Sequence, residues 1–261
     1  MIIRFLKYLN KIPVPLTIKH YVLLGKVGLS LVDTELTPEN WLILRNNHPR
    51  YSIPEDRETW IRELALQKDG QDARLHDRVA AFVTLLEEKH IATVYSIGSG
   101  GGVFEYFLKQ RMPNVKIVAS EVTQEGVDRL RRVFTECDEV RLFDALNADS
   151  WKEIGKDQNG IVFIYRNEHE FSDEQWREMF AAMHESRVRH IFLGFMYFVT
   201  VWSLLQAALR ILRGLLRGEV VVFAGYVRNY IAFERFWRQK YVAQEVDFPN
   251  CRGFYLARVN K

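Results

Sequence analysis

The feature that most constrains this chain is five residues long. Gly98-Ser99-Gly100-Gly101-Gly102 follows the strand-like run Ile91–Ile97 and precedes the helix-like run Val103–Arg111. A turn this tight between a strand and a helix needs residues without a Cβ. The missing side chains also let a ligand touch the backbone. The helix that follows points its free amides at whatever sits there. The surrounding chain is then expected to be made of βα units, with a ligand site at the carboxyl end of a central strand.

The rest of the sequence from residue 91 fits that expectation. Val115–Ser120 is strand-like, Gln124–Phe134 helix-like and Glu139–Phe143 strand-like. A loop with Asn147 and Ser150 leads to a short helix around Trp151, and Gly160–Tyr165 is the next strand. Ser172 and Gln175 have the spacing of a capping box, with Phe171 and Trp176 as its hydrophobic staple. Arg189–Leu193 reads as a fifth strand. Tyr241–Val246 and Gly253–Val259 flank the turn Phe248-Pro249-Asn250-Cys251-Arg252 and read as a closing hairpin. Strands alternating with helices predict an α/β fold: a Rossmann-like, mostly parallel seven-stranded sheet with an antiparallel terminal hairpin strand.

Residues 1–90 read as helical. Thr37-Pro38 before Trp41 and Leu42 marks one helix start. Glu55–Gln67 is a second helix, and Ala73–Lys89 a third with Val79, Phe82, Val83 and Leu86 as its apolar stripe. The polar break Lys68–Asp72 divides the chain into an N-terminal helical cap, 1–72, and a Rossmann-like domain, 73–261, with an insertion at about 195–230.

Composition narrows the classes further. With 48% hydrophobic and 26% charged residues in 261, the chain buries a sizeable core and is not disordered. Two cysteines, Cys137 and Cys251, make neither a disulfide framework nor a cysteine zinc site. The net charge of +3 is uneven: residues 1–32 and 186–218 hold ten bases and no acid, leaving −7 elsewhere. Ile2, Phe5, Leu6 and Leu9 share a helical face opposite Arg4, Lys7 and Lys11, a pattern suited to a membrane interface or to packing on the protein itself. Ile191–Leu209 has 19 residues without a charge, long enough for a membrane span. Strand-like sequence on both sides favours instead a buried strand, a loop and an amphipathic helix. In that helix Leu205, Ala208, Leu212 and Leu215 oppose Arg210, Arg213 and Arg217.

The glycine spacing bears on the ligand. A dinucleotide fingerprint needs a small third residue where this chain has Val103, which counts against NAD. The spacing G-x-G-x-G is similar to motif I of the class I S-adenosylmethionine (SAM) dependent methyltransferases. The resemblance runs over about residues 78–259. It implies SAM as cofactor, with Gly98, Ser99, Gly100 and Gly102 forming the cofactor turn. It implies Glu121, 19 residues after Gly102 at the end of the next strand, as acceptor for the ribose hydroxyls. Asp144, ending the third strand, falls beside the adenine, and Tyr165 joins the cofactor side. The same two acids also suit a cap and a turn. One position departs from the family: its acid two residues before the first glycine is Ser96 here.

Chemistry is expected on Tyr165-Arg166-Asn167-Glu168-His169-Glu170, which the same resemblance sets against the transferring methyl group. His169 is the candidate base, its ordinary pKa being suited to proton transfer near neutrality. Glu168 or Glu170 orients it or acts in its place, and Arg166 holds a phosphate or carboxylate. A solvated loop ahead of a helix has a similar composition. Tyr226, Arg228 and Asn229 in the insertion are the candidate substrate residues. The overall style resembles bacterial methyltransferases that modify surface polysaccharides. It implies O-methylation of a glycan or lipid-linked acceptor by a cytoplasmic protein, peripheral at the inner face of a membrane through residues 1–12 and 203–217. No nucleic-acid motif is present. An NAD-dependent oxidoreductase and a non-catalytic binding module of methyltransferase descent are the alternatives.

Overall fold

The computed structural model describes residues 21–23, 29–30, 53–66, 74–167, 170–195, 201, 204–206, 208–209, 212–213, 222–223, 228, 233–249 and 251–259. In chain order the elements are β1 (Tyr21–Leu23), β2 (Leu29–Ser30), α1 (Arg57–Leu66), α2 (Leu75–Glu88), β3 (Thr93–Ile97), α3 (Val103–Arg111), β4 (Lys116–Glu121), α4 (Gln124–Val133), β5 (Glu139–Leu142), α5 (Ser150–Ile154), β6 (Gly160–Tyr165), α6 (Asp173–Glu185), β7 (His190–Phe195), β8 (Val222–Phe223), β9 (Tyr241–Val246) and β10 (Arg252–Arg258).

Seven strands form one sheet in the order β5-β4-β3-β6-β7-β10-β9. The first five run parallel, and β10 is antiparallel to both β7 and β9. The parallel strands β3, β4, β6 and β7 are buried along nearly their whole length because helices cover both faces, while the edge strand β5 is only partly buried. Residues β3, β4 and β6 contribute alternately to two cores. On one face Val94, Ile117 and Phe163 meet α2 and α3, and Ala119 meets α1 and α4. On the other, Tyr95, Val118, Val162 and Ile164 pack on α5, α6 and the segment carrying Phe233 and Trp237.

The chain builds β3, β4 and β5 outward and then crosses back to β6. Between β3 and β6 it therefore reverses direction across the sheet, and an open sheet of this kind leaves a crevice there. The start of α6 is set by the expected capping box: Ser172 Oγ accepts from the Gln175 amide, and the Gln175 side chain accepts from Ser172 N. Phe171 and Trp176 meet edge to face at 5.3 Å.

One expectation is overturned. Residues 1–90 are not all helical, since β1 and β2 lie within them and form a three-stranded antiparallel sheet with β8. Gly25 and Gly28 stand between those strands, and glycine costs a helix about 1 kcal/mol against alanine. Pairing with β8, nearly two hundred residues on, decides the outcome. The helix expected after Thr37-Pro38 and the one over residues 1–12 lie outside the described residues. The apolar stretch from Ile191 begins as β7, and helical positions are described between 201 and 213. Among the described residues no helix is long and apolar enough to cross a membrane.

Candidate cofactor and active site

The turn between β3 and α3 is held by three left-handed glycines, with φ of 65° at Gly98, 57° at Gly100 and 68° at Gly102. Their surroundings differ. Gly102 is buried, and a Cβ there would stand 2.9 Å from Phe134 Cδ1 and 3.1 Å from Leu130 Cδ1. Its role is to let α3 close against α4. At Gly100 a Cβ would meet nothing within 4 Å. At Gly98 the close neighbour is the side chain of Asn167.

Glu121 ends β4 beside this turn. It is buried, and its Oε1 accepts from the Gly100 amide at 2.5 Å. Ser99 is bound in the same cradle: its amide donates to the Ser120 carbonyl at 2.9 Å, and its Oγ accepts from the Ser120 amide at 3.1 Å. Ser96 points from β3 toward α3. Its hydroxyl donates to Glu105 Oε1 at 2.5 Å. Its carbonyl accepts from Ser120 Oγ at 2.7 Å and from Ser99 Oγ at 3.3 Å. Glu105 is fully buried on the first turn of α3, and burial pushes its carboxyl up to about 7, the nearby Glu121 adding to the effect against the hydrogen bond from Ser96. A buried carboxyl thus meets Ser96 from the facing helix.

Asp144, just past β5, is exposed, and its Oδ1 accepts from the Leu146 amide at 2.9 Å. Here it makes an Asx turn that shapes the loop after β5. Tyr165 ends β6 half-buried, its ring among Phe104, Phe163 and Phe248 at centroid distances of 5.0 to 6.0 Å. Arg166 is exposed and carries a left-handed φ of 63°, with its amide on the Gly194 carbonyl at 2.8 Å. A non-glycine residue in that region costs about 1–2 kcal/mol, a strain of the kind found at ligand sites. Glu170 is half-buried, its amide donating to the Asn167 carbonyl at 3.1 Å. Glu168, His169, Tyr226 and Asn229 lie outside the described residues. Arg228 is buried and committed to the fold: its guanidinium donates to Asp173 Oδ1 and to the Phe171 carbonyl, which ties the insertion to the start of α6.

Two residues that sequence reasoning passed over hold the turn in place. Asn167 is buried, and its Nδ2 donates to the carbonyls of Ile97, at 2.7 Å, and Gly98, at 3.2 Å. It pins the carboxyl end of β6 to that of β3, across the crevice. Trp60 of α1 is buried and donates from Nε1 to the Gly101 carbonyl at 2.7 Å. Arg57 anchors that helix through Glu136, at 2.5 Å, and the Val133 carbonyl, at 2.6 Å. Asn167 stood in plain view inside the polar run. Nothing local to Trp60 signals its partner 41 residues away.

No family model and no curated protein sequence matches the chain. Solved structures do. Human N-acetylserotonin methyltransferase in complex with SAM is similar with a TM-score of 0.53 at 10% identity, over 78% of this chain and 57% of that one. PigF with S-adenosylhomocysteine (SAH) is similar with a TM-score of 0.55 at 12% identity, over 87% and 63%. Magnesium protoporphyrin IX methyltransferase from Synechocystis PCC 6803, with bound SAH, has a TM-score of 0.50 at 14% identity, over 84% and 99%. The chain therefore spans less than two thirds of the first two proteins and nearly all of the third. At these identities the likeness is one of architecture: the chain has the Rossmann-like fold of SAM-dependent methyltransferases.

Proposed function

We propose that this chain is a SAM-dependent methyltransferase that holds its cofactor on the Gly98–Gly102 turn. The observation that carries the reading is the pairing of Gly100 with Glu121. A glycine with open space over it lies beside a buried carboxylate at the end of the next strand, at the crevice where the sheet reverses. A nucleoside fits such a pair, since an ionised carboxylate is acceptor-only and takes hydroxyl donors. Gly98, Ser99 and Gly102 shape the turn, Glu121 takes the ribose hydroxyls, and Asp144 and Tyr165 border the adenine and the methyl-bearing end. When bound, SAM supplies a methyl group on an electron-poor sulfonium.

The chain's own contribution is alignment and proton removal. Asn167 fixes the end of β6 against the turn. His169 takes the proton from an acceptor hydroxyl, and Glu168 or Glu170 orients it. Arg166 holds an anionic group of the acceptor. A glycan or lipid-linked acceptor at a membrane surface suits the charge pattern, because residues 186–218 carry five arginines and no acid. Leu205, Leu209 and Leu212 are exposed at helical spacing in that segment, and apolar residues beside arginines favour an anionic lipid interface. Residues 1–12 have the same character.

Calorimetric titration with SAM and SAH tests the cofactor. Wild type binds both, and Gly100→Val binds neither. Absence of binding by wild type, with saturable NADH binding instead, would replace this reading by an oxidoreductase. Transfer of labelled methyl to a lipid-linked oligosaccharide fraction, lost in His169→Ala with SAH binding intact, tests the acceptor and the base. Full transfer by that variant removes His169 from the role.

A further inference from the structure

Beneath the glycine turn lie two buried carboxyl groups, and the proposed chemistry uses only one of them. Glu121 faces the turn and accepts from the Gly100 amide. Glu105 reaches the same place from α3 and accepts from Ser96 Oγ. Ser96, Ser99 and Ser120 are hydrogen-bonded to one another between the two, Ser99 and Ser120 being the chain neighbours of Gly100 and Glu121. Among the described residues no basic side chain pairs with Glu105. Among the described residues, the charged and titratable groups acting on it are Glu121, from β4, and the thiol of Cys137, ahead of β5, which burial pushes up to about 11 and so keeps neutral. Burial favours the neutral form of Glu105, and the charge of Glu121 adds to the effect; positive charge arriving at the turn would reverse it.

We propose that Glu105 is a proton-linked positioning residue of the cofactor turn, neutral when the site is empty and ionised when a cationic ligand sits there. This rests on the reading of the turn as a SAM site. SAM carries a net positive charge through its sulfonium and SAH does not. Binding of SAM then drives the Glu105 proton out to solvent, and the carboxylate left behind favours SAM over its product. SAH supplies no such charge and leaves the proton in place. The site thereby distinguishes cofactor from product by charge, through a side chain that touches neither. A free carboxyl titrating near 7 puts the exchange in the physiological range.

The test is calorimetric titration of wild type with SAM and with SAH between pH 6 and 8, in buffers of different ionisation enthalpy. SAM binding should release about half a proton at pH 7 and nearly a whole one at about pH 6, and weaken about tenfold from pH 8 to pH 6, while SAH affinity stays nearly level. Glu105→Gln should release no proton and lose the pH dependence for SAM while still binding it. Ser96→Ala removes the larger of the two hydrogen bonds that favour ionised Glu105, the other being to its own backbone, and should shift the transition to higher pH. Equal proton release in wild type and Glu105→Gln overturns the inference, as do parallel pH profiles for SAM and SAH. Failure of wild type to bind either ligand at any pH overturns the cofactor reading itself, and the inference with it. Should Glu105→Gln not fold, the Ser96→Ala shift decides alone.

Discussion

Gly100 and Gly102 stand two residues apart in one motif with similar backbone angles, yet alanine should do opposite things at each. Both substitutions place a Cβ on a left-handed residue, at φ of 57° and 68°, which costs about 1–2 kcal/mol. Both recover about 0.4–1 kcal/mol by stiffening the unfolded chain. At Gly102 the new Cβ also meets Phe134 at 2.9 Å and Leu130 at 3.1 Å, in a core that is already close-packed. Overpacking adds about 1–3 kcal/mol, for a net loss of about 2–4 kcal/mol and about 5–15 °C in Tm for a chain of this size. At Gly100 nothing lies within 4 Å, so the net loss is about 0–1.6 kcal/mol. The overpacking cost moves to the liganded state instead, and weakens SAH binding by about 5- to 150-fold. Urea melts and calorimetric titration of the two variants separate the effects. Equal destabilisation of both, or wild-type SAH affinity in Gly100→Ala, would refute the assignment of one glycine to packing and the other to the ligand.

Three further outcomes follow from the same geometry. Asn167→Ala leaves the Ile97 carbonyl without its buried donor, which costs about 1–3 kcal/mol; the loosened turn should also lower SAH affinity, and unchanged affinity would deny Asn167 its part in the site. Trp60→Phe keeps the ring packing but removes the bond to the Gly101 carbonyl; a loss of about 1 kcal/mol in urea melts is expected, with weaker SAH binding if α1 steadies the turn. Stability itself should depend on Glu105. Its folded carboxyl titrates at about 7 against an ordinary 4.5, so the folded chain keeps a proton the unfolded chain has lost between those values. Stability from this group is therefore full at low pH, falls as pH rises from about 4.5 to about 7, and is level above that. The difference between wild type and Glu105→Gln in thermal melts isolates this term, and superimposable profiles would mean Glu105 is not raised.

The elements most legible in the sequence are those whose cause is local. α3 and β6 have the limits their sequences suggest, Val103–Arg111 and Gly160–Tyr165, because a glycine turn and a buried apolar run define their ends. The start of α6 was readable from Ser172 and Gln175 for the same reason: both partners of the cap lie within one turn. β1 and β2 were not readable. Three and two residues long, they are strands only because β8 pairs with β1, and their own sequence carries no alternation to announce it.

The site divides in the same way, and Ser96 shows why. Read along the chain, Ser96 is a loss: an acid missing from the place where the resemblance expects one. Read in the fold, it is one half of an exchange. The side chain at position 96 leaves β3 on the α3 face, and the third residue of α3 returns to that face one helical turn after the glycines. Glu105 therefore meets Ser96 between strand and helix, and the serine hydroxyl donates to its carboxyl at 2.5 Å. A carboxyl at 96 would come from the strand, and the one at 105 comes from the helix. They are not equivalent for the backbone. An acid on the strand is fixed by the sheet alone, whereas Glu105 is held by the α3 turn that begins at Gly102, so its position depends on how tightly α3 closes on Phe134 and Leu130. The packing glycine and the buried acid are then coupled, and Gly102→Ala should disturb the titration of Glu105 as well as the core. If that variant keeps the wild-type difference in pH profile against Glu105→Gln, the coupling is absent and Ser96 alone sets where the charge lies.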